Sequence, residues 1–327
     1  MSEPEEGVPA QLLPLSARAP GKCILFGEHG VVHGAPELVV AIDLEMQVLL
    51  RRGPRTLLNG ESDPGARHPY LRVALARLWA DGPPLEVRSL SRIPRAAGLG
   101  SSAAFVSALA VGLAAGRGGL GRAALAQSAF DIEREAQGVG SPGDTSASVA
   151  GGFVTINGGD GPLLWEVTQG GQRWAVRRAR DPAWSWIVAF SGVPRSTATA
   201  VRAVTARLAR PDGEELLRRF REVANDGIRA VDREDRAATA DAMRRNHELL
   251  REVGVSHPRL EELLRAVDEC ADGGKLTGAG AGGSIVVLPR AGREVECLRR
   301  LARAGALAYA VRPAPLGAGL VTASARR

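Results

Sequence analysis

Unbroken or alternating apolar runs fall at Cys23–Phe26, Leu38–Ile42, Phe153–Ile156, Trp186–Phe190, Ser284–Leu288 and Leu307–Val311. Each is predicted as a β-strand. Helical periodicity is clear in three places. Phe105, Leu109 and Leu113 recur at i, i+4 and i+8. Leu217, Phe220, Ala224, Ile228 and Val231 form one stripe between Glu214 and Arg233, and Leu260, Leu263, Leu264 and Val267 form another. Interleaved strands and helices predict an α+β or α/β design. Residues 157–183 carry little regular pattern after Leu164, so a domain boundary is placed near residue 180, dividing the chain into 1–180 and 181–327. Residues 1–15 read as a loose tail.

A chain of 327 residues suits two ordinary domains. The acidic start, Met1 to Glu6, has no basic or apolar leader region. The longest apolar stretch, Ala103 to Ala115, is too short to span a bilayer and is interrupted by Ser107 and Gly112. A soluble cytoplasmic protein is expected, with no membrane partner. The net charge of +6 raises the question of nucleic acid. The arginines, however, are interspersed with Glu and Asp, as in Glu214 to Glu222, and no basic tail or aromatic-basic strip accompanies them. A positive field would instead favour anionic substrates. Cys23, Cys270 and Cys297 are odd in number and widely spaced, which predicts reduced structural thiols. Only two lysines occur, Lys22 and Lys275; the other 40 of 42 basic residues are Arg. A lysine kept against that background suggests a need for a compact ammonium point charge.

Four segments carry candidate chemistry. Pro94-Arg95-Ala96-Ala97-Gly98-Leu99-Gly100-Ser101-Ser102-Ala103-Ala104 leads straight into an apolar helical pattern. Its glycines permit tight turns, and Ser101 and Ser102 sit where helix N-caps belong. The positive end of such a helix suits phosphate, and a Ser hydroxyl beside it can ligate Mg²⁺. The same pattern also suits an ordinary loop before a capped helix. Lys275 to Ser284 holds four glycines in the six residues 278–283, which points to close backbone approach to a ligand or to another loop. Ala19 to Gly34 places Lys22 at the mouth of a strand and Glu28 and His29 in the loop beyond it. His29 and His33 are four apart, but Gly30 and Gly34 disfavour the helix a metal pair would need. Asp131 to Ser146 puts Glu133 late in a helix and Asp144 in a Gly/Pro-rich loop, two carboxylates suited to different tasks.

Together, in this order, the four segments resemble the GHMP kinase superfamily and, within it, the mevalonate kinases of the archaeal and bacterial branch. Residues 94–104 are similar to the family's phosphate loop, 275–284 to its Lys-Leu-Thr-Gly-Ala-Gly closing loop, and 19–34 to its opening Ala-Pro-Gly-Lys segment. Val193–Thr197, Asn246-His247 and Gly254–Pro258 are weaker matches. The resemblance implies a two-domain α+β fold, with an N-terminal half like ribosomal protein S5 domain 2 and a ferredoxin-like C-terminal half. It implies ATP and Mg²⁺, and phosphorylation of the 5-hydroxyl of mevalonate. It assigns Asp144 as the base. It assigns Lys22 as its cationic partner, favouring the developing alkoxide and offsetting charge on the γ-phosphoryl group. Ser102 and Glu133 align with Mg²⁺ ligands, and Pro94, Gly98, Leu99, Gly100, Ser101, Ser102 and Ala103 with the ATP-binding loop. Glu28, His29, Thr197, Gly278 and Ala279 fall on the substrate side. Ala96 and Ala281 stand where Gly is frequent, Ser284 where Cys or Ala is frequent, and Glu37 where a small residue usually follows Pro36. A sister kinase acting on phosphomevalonate or another small alcohol, and a non-catalytic sensor on the same fold, stay open as alternatives, as does a homodimer.

Overall fold

A 16-residue strand, β2 (Glu37–Arg52), organises the first half of the molecule. The computed structural model describes residues 14–62, 68–138, 140–194 and 197–321, with the side chains at 62 and 197–199 outside that description. One edge of β2 pairs antiparallel with β1 (Leu15–Phe26). Its other edge is shared: the first residues pair with β6 (Phe153–Ile156) and the last with β5 (Leu85–Ser91). The hairpin β7 (Leu163–Gln169) and β8 (Gln172–Arg178) extends the sheet beyond β6. Short strands β3 (Leu57–Leu58) and β4 (Glu61–Ser62) extend it beyond β5. Four helices accompany this sheet: α1 (Pro69–Leu78), α2 (Ser101–Ala115), α3 (Arg122–Gln137) and α4 (Gly143–Ala150).

The second sheet has the order β10-β11-β9-β12, built from β9 (Trp186–Phe190), β10 (Ala271–Thr277), β11 (Ser284–Pro289) and β12 (Leu307–Val311). All of its pairings are antiparallel. Its helices are α5 (Thr197–Leu208), α6 (Gly213–Asp232), α7 (Arg236–Glu252), α8 (Pro258–Val267) and α9 (Glu294–Arg303). Successive side chains of a strand point to opposite faces. Accordingly, Trp186 and Val188 join the core of the first sheet, while Ile187 and Ala189 join a second core beneath the helices. That double burial explains why β9 and β11 read as continuous apolar runs. After β12 the chain returns to the first sheet, where β13 (Gly319–Leu320) pairs with β1.

All six predicted strands are present, and all three helical stripes lie on helices. Other expectations are corrected. The expected tail ends early, because β1 begins at Leu15; residues 1–13 lie outside the described residues. The region after Leu164 is the β7–β8 hairpin, which buries Trp165, Val167, Trp174 and Val176. On α6 the buried position is Leu216, and Leu217 is only half-buried. Cys270 and Cys297 form a disulfide across 27 residues with Cα atoms 5.8 Å apart, joining the start of β10 to α9; Cys23 alone is a free thiol, pushed up to about 12 by burial. Helix α2 is buried on nearly every side by Ala104, Val106, Leu109, Ala110 and Leu113, and it packs across β1 and β2. Half-buried Phe105, one member of its predicted stripe, faces a cavity instead. Among the described residues no helix is long and apolar enough to cross a membrane.

Candidate active site

The cavity holds about 610 Å³ and lies between the two sheets. One wall is the N-terminus of α2. Gly100 is its N-cap, with φ +76°, a left-handed conformation that glycine adopts without penalty. A Cβ at this position would come within 2.7 Å of Lys22 Cγ, so the missing side chain also makes room for the lysine stem. Ser101 and Ser102 are therefore the first two helical residues and not the cap. The first amides of an α-helix have no intrahelical acceptor. Here those amides belong to Gly100, Ser101, Ser102 and Ala103, and the first three of these residues line the cavity. The aligned peptide dipoles add a partial positive charge at the same spot.

Lys22 enters from β1. Its backbone N–H donates to Leu99 O at 3.0 Å, which ties the strand to the loop before α2. Its side chain is 1% exposed, and Nζ lies 2.9 Å from Asp144 Oδ1 and 3.2 Å from Gly98 O. Asp144 is the second residue of α4 and not a loop residue, and its side chain stays 30% exposed. A carboxylate in the first turn of a helix is favoured by the helix dipole.

Beside this pair, Ser102 Oγ donates to Glu133 Oε1 at 2.8 Å, and Gln137 Nε2 donates to the same oxygen at 3.0 Å. Burial, followed by the neighbouring Asp144, pushes the Glu133 carboxyl up to about 7. A buried carboxylate next to a serine hydroxyl and an anion-binding helix end fits Mg²⁺, which takes one or two carboxylates and completes its shell with water and phosphate oxygens.

The other end of the cavity is closed by the second sheet. Glu28 forms a buried ion pair with Lys275 of β10, whose Nζ also donates to Leu276 O at 2.7 Å. Burial pushes the Glu28 carboxyl up and the Lys275 ammonium down, and each is held partway back by the other. His29, at φ +63°, donates from Nε2 to Ala279 O at 3.0 Å. Thr277 Oγ1 accepts from Ile24 N and donates to Ile24 O, at 2.8 and 2.9 Å. Ser284 Oγ reaches Ala97 O at 2.8 Å, fastening the closing loop to the phosphate loop. The glycines of the closing loop serve both purposes considered for them. Gly278 and Ala279 line the cavity, whereas Ala281 N and Gly283 N donate to Val255 O and Val193 O. His247 accepts from Leu276 N at 3.3 Å, which places the Asn246-His247 match behind this loop.

Lys22, Glu28, His29, Pro94, Gly98, Gly100, Ser101, Ser102, Glu133, Asp144, Gly278 and Ala279 thus meet around one cavity. Leu99 and Ala103 turn their side chains into the core and adjoin the site through backbone alone. Thr197 opens α5, and its side chain lies outside the described residues, as do Arg195 and Ser196. Sequence reasoning missed Tyr70 and a far wall of Met46, Leu58, Asn59, Ser89 and Ser91, and it singled out the segment holding Gln137 and Ser141 without giving those two a role. Gln137 and Ser141 stand in the glycine-rich run 137–143, which was the available signal; the others carry no such mark.

Comparisons with known proteins agree with this fold. The family described as GHMP kinases N terminal domain matches residues 69–152, and GHMP kinases C terminal matches 228–307. The mevalonate kinase of Methanothermobacter thermautotrophicus is 32% identical over 284 residues, 83% of this chain and 89% of that protein. That of Archaeoglobus fulgidus is 33% identical, over 82% and 90%. The crystal structure of L. major mevalonate kinase in complex with R-mevalonate superimposes with a TM-score of 0.75 at 22% identity, covering 97% of this chain and all of that one. With its two-sheet architecture and its cavity at the head of α2, the chain belongs to the mevalonate kinase family of GHMP kinases.

Proposed function

We propose that this protein transfers the γ-phosphoryl group of ATP to the 5-hydroxyl of mevalonate. One observation carries the reading: the Lys22–Asp144 pair, 2.9 Å apart, opens onto the same cavity as the amide-bearing end of α2. The triphosphate lies at the N-terminus of α2, held by the backbone of Gly98, Gly100 and Ser101. The adenine of ATP lies toward Met46, Leu58 and Asn59. The acceptor lies between Asp144, His29 and the Gly278-Ala279 turn. Residues 1–180 and 181–327 act as the two lobes around this cleft, the last strand excepted.

In the transfer step the acceptor oxygen bonds to the γ-phosphorus while the bond to the β–γ bridging oxygen breaks, and ADP leaves with that electron pair. The hydroxyl proton passes to an Asp144 carboxylate oxygen. Lys22 faces the developing alkoxide and the transferring group, where a fixed ammonium acts without reorganisation. Ser102 and Glu133 would hold Mg²⁺, which when bound neutralises phosphate charge. Phosphoryl transfer depends mainly on positioning and electrostatics, so these tasks account for the chemistry.

ADP release is to be followed with ATP, Mg²⁺ and, separately, mevalonate, phosphomevalonate, galactose and homoserine. Mevalonate-dependent turnover is expected. Turnover with another member of the panel while mevalonate stays inert would refute the assignment.

A further inference from the structure

Glu37 heads an otherwise apolar run, Leu38-Val39-Val40-Ala41-Ile42, and it is only 1% exposed. A carboxyl in such a place needs partners or a proton. Its surroundings are the acceptor end of the cavity, which it lines with Lys22, Glu28, His29, Ser141 and Asp144. Glu37 Oε2 and Ser141 Oγ are 3.2 Å apart. Gly143 lies against the same oxygen, and any Cβ at residue 143 would strike it.

The charged groups facing Glu37 come from four elements: Lys22 of β1, Glu28 of the turn after β1, Asp144 of α4 and Lys275 of β10. Lys22 already pairs with Asp144, and Lys275 with Glu28. The site is therefore balanced without Glu37. A third carboxylate would make this end of the cavity negative and repel an acceptor that brings a carboxylate of its own. Burial, followed by the adjacent Asp144, pushes the Glu37 carboxyl well above the usual carboxylate range.

We propose that Glu37 is a specificity-determining residue: as a carboxylic acid it offers an O–H donor and admits an anionic acceptor, and as a carboxylate it turns that acceptor away while tolerating a neutral one. The inference rests on the mevalonate reading above, since that acceptor is an anion. Specificity here is a difference between two binding free energies, and one proton on the cavity wall sets its sign.

The test compares the KM for mevalonate with the inhibition constant of the neutral triol in which the mevalonate carboxylate is reduced to an alcohol. Both are measured between about pH 6 and about pH 9. In the wild type the mevalonate KM is expected to rise at least about tenfold across this range, and the triol constant to change less than about threefold. In Glu37→Gln, whose amide donor cannot be lost, the mevalonate KM is expected to stay within about threefold across the range; Glu37→Asp, which still titrates, retains the rise. The proposal is overturned if Glu37→Gln shows the wild-type rise, if the triol constant rises in step, or if the triol does not inhibit. Should Glu37→Gln fail to fold, the wild-type comparison decides alone. Wild-type protein that does not phosphorylate mevalonate would sink the proposed function instead; turnover with a pH-independent KM would sink only this inference.

Discussion

Lys22 and Lys275 are the two lysines of a chain that otherwise uses arginine, and both are buried against a carboxylate. Their pairs differ in one respect. Asp144, opposite Lys22, keeps 30% of its side-chain surface, whereas Glu28, opposite Lys275, keeps 1%. The first pair faces a cavity where substrate atoms can enter. The second bridges β10 and the turn after β1; Glu28 borders the cavity, but Lys275 lies behind it and neither side chain keeps more than 1% of its surface. Burial of an ion pair therefore does not by itself mark chemistry; the pair must also be open to the reacting atoms. Lysine suits both places because its narrow stem passes through packed surroundings and ends in a point charge. Beside Lys22 the fit is tight enough that Gly100 can carry no side chain.

The largest expected effect separates the two pairs directly. Asp144→Ala should lower kcat by about a hundredfold to ten-thousandfold, with a smaller loss of stability than a sealed pair would show, because Lys22 keeps Gly98 O and borders the cavity that Asp144 vacates. Near-normal turnover would remove Asp144 from the mechanism. Lys275→Met should act in the opposite way, destabilising the fold by about 3–5 kcal/mol because Glu28 is left as a buried, unpaired charge. Denaturant titration measures this. The double variant Glu28→Leu/Lys275→Met should recover much of the loss, because neither charge remains. A Lys275→Met protein of wild-type stability that cannot turn over would erase the distinction.

Lys22→Arg should reduce kcat by about a hundredfold, since the forked guanidinium does not reproduce the ammonium between Gly98 O and Asp144. Wild-type turnover in that variant would undo the argument from lysine scarcity. The smallest effect concerns the loops that bring both pairs to the cavity. Ala96 and Ala281 have φ values of +56°, left-handed conformations that cost a non-glycine residue about 1–2 kcal/mol. After allowance for the greater freedom of glycine in the unfolded chain, Ala96→Gly and Ala281→Gly should each stabilise by about 1 kcal/mol or less. A loss of stability in either would mean that its methyl group packs usefully.

Strands buried on both faces, such as β9 and β11, were legible because every residue must be apolar. Helices with one buried stripe, such as α6, were legible because the period of 3.6 survives in the sequence, although it left Leu216 and Leu217 indistinct. The β7–β8 hairpin was not legible. Its inward positions, Trp165, Val167, Trp174 and Val176, are few and alternate with Glu166, Thr168, Arg173, Ala175 and Arg177. Helix α4 was missed for a different reason: Gly143 to Ala150 is made of small and weakly helix-forming residues, and it forms where α2, α3 and β1 bury it. The glycine-rich segments and the two lysines announced the candidate site because backbone approach and ammonium chemistry restrict residue type at each position.

What the sequence determined, then, was the inventory: which segments are strands, which loops come close to a ligand, and which side chains carry charge where arginine would not serve. Only the tertiary structure decided what each charge faces. It brought Asp144 to Lys22 across more than a hundred residues, sealed Lys275 against Glu28, joined Cys270 to Cys297, and buried Glu37 among two ion pairs that were already balanced. The physical reason is that propensity and periodicity act between neighbours in the chain, whereas desolvation and Coulomb interactions depend on distances that exist only once the two sheets have closed around the cavity.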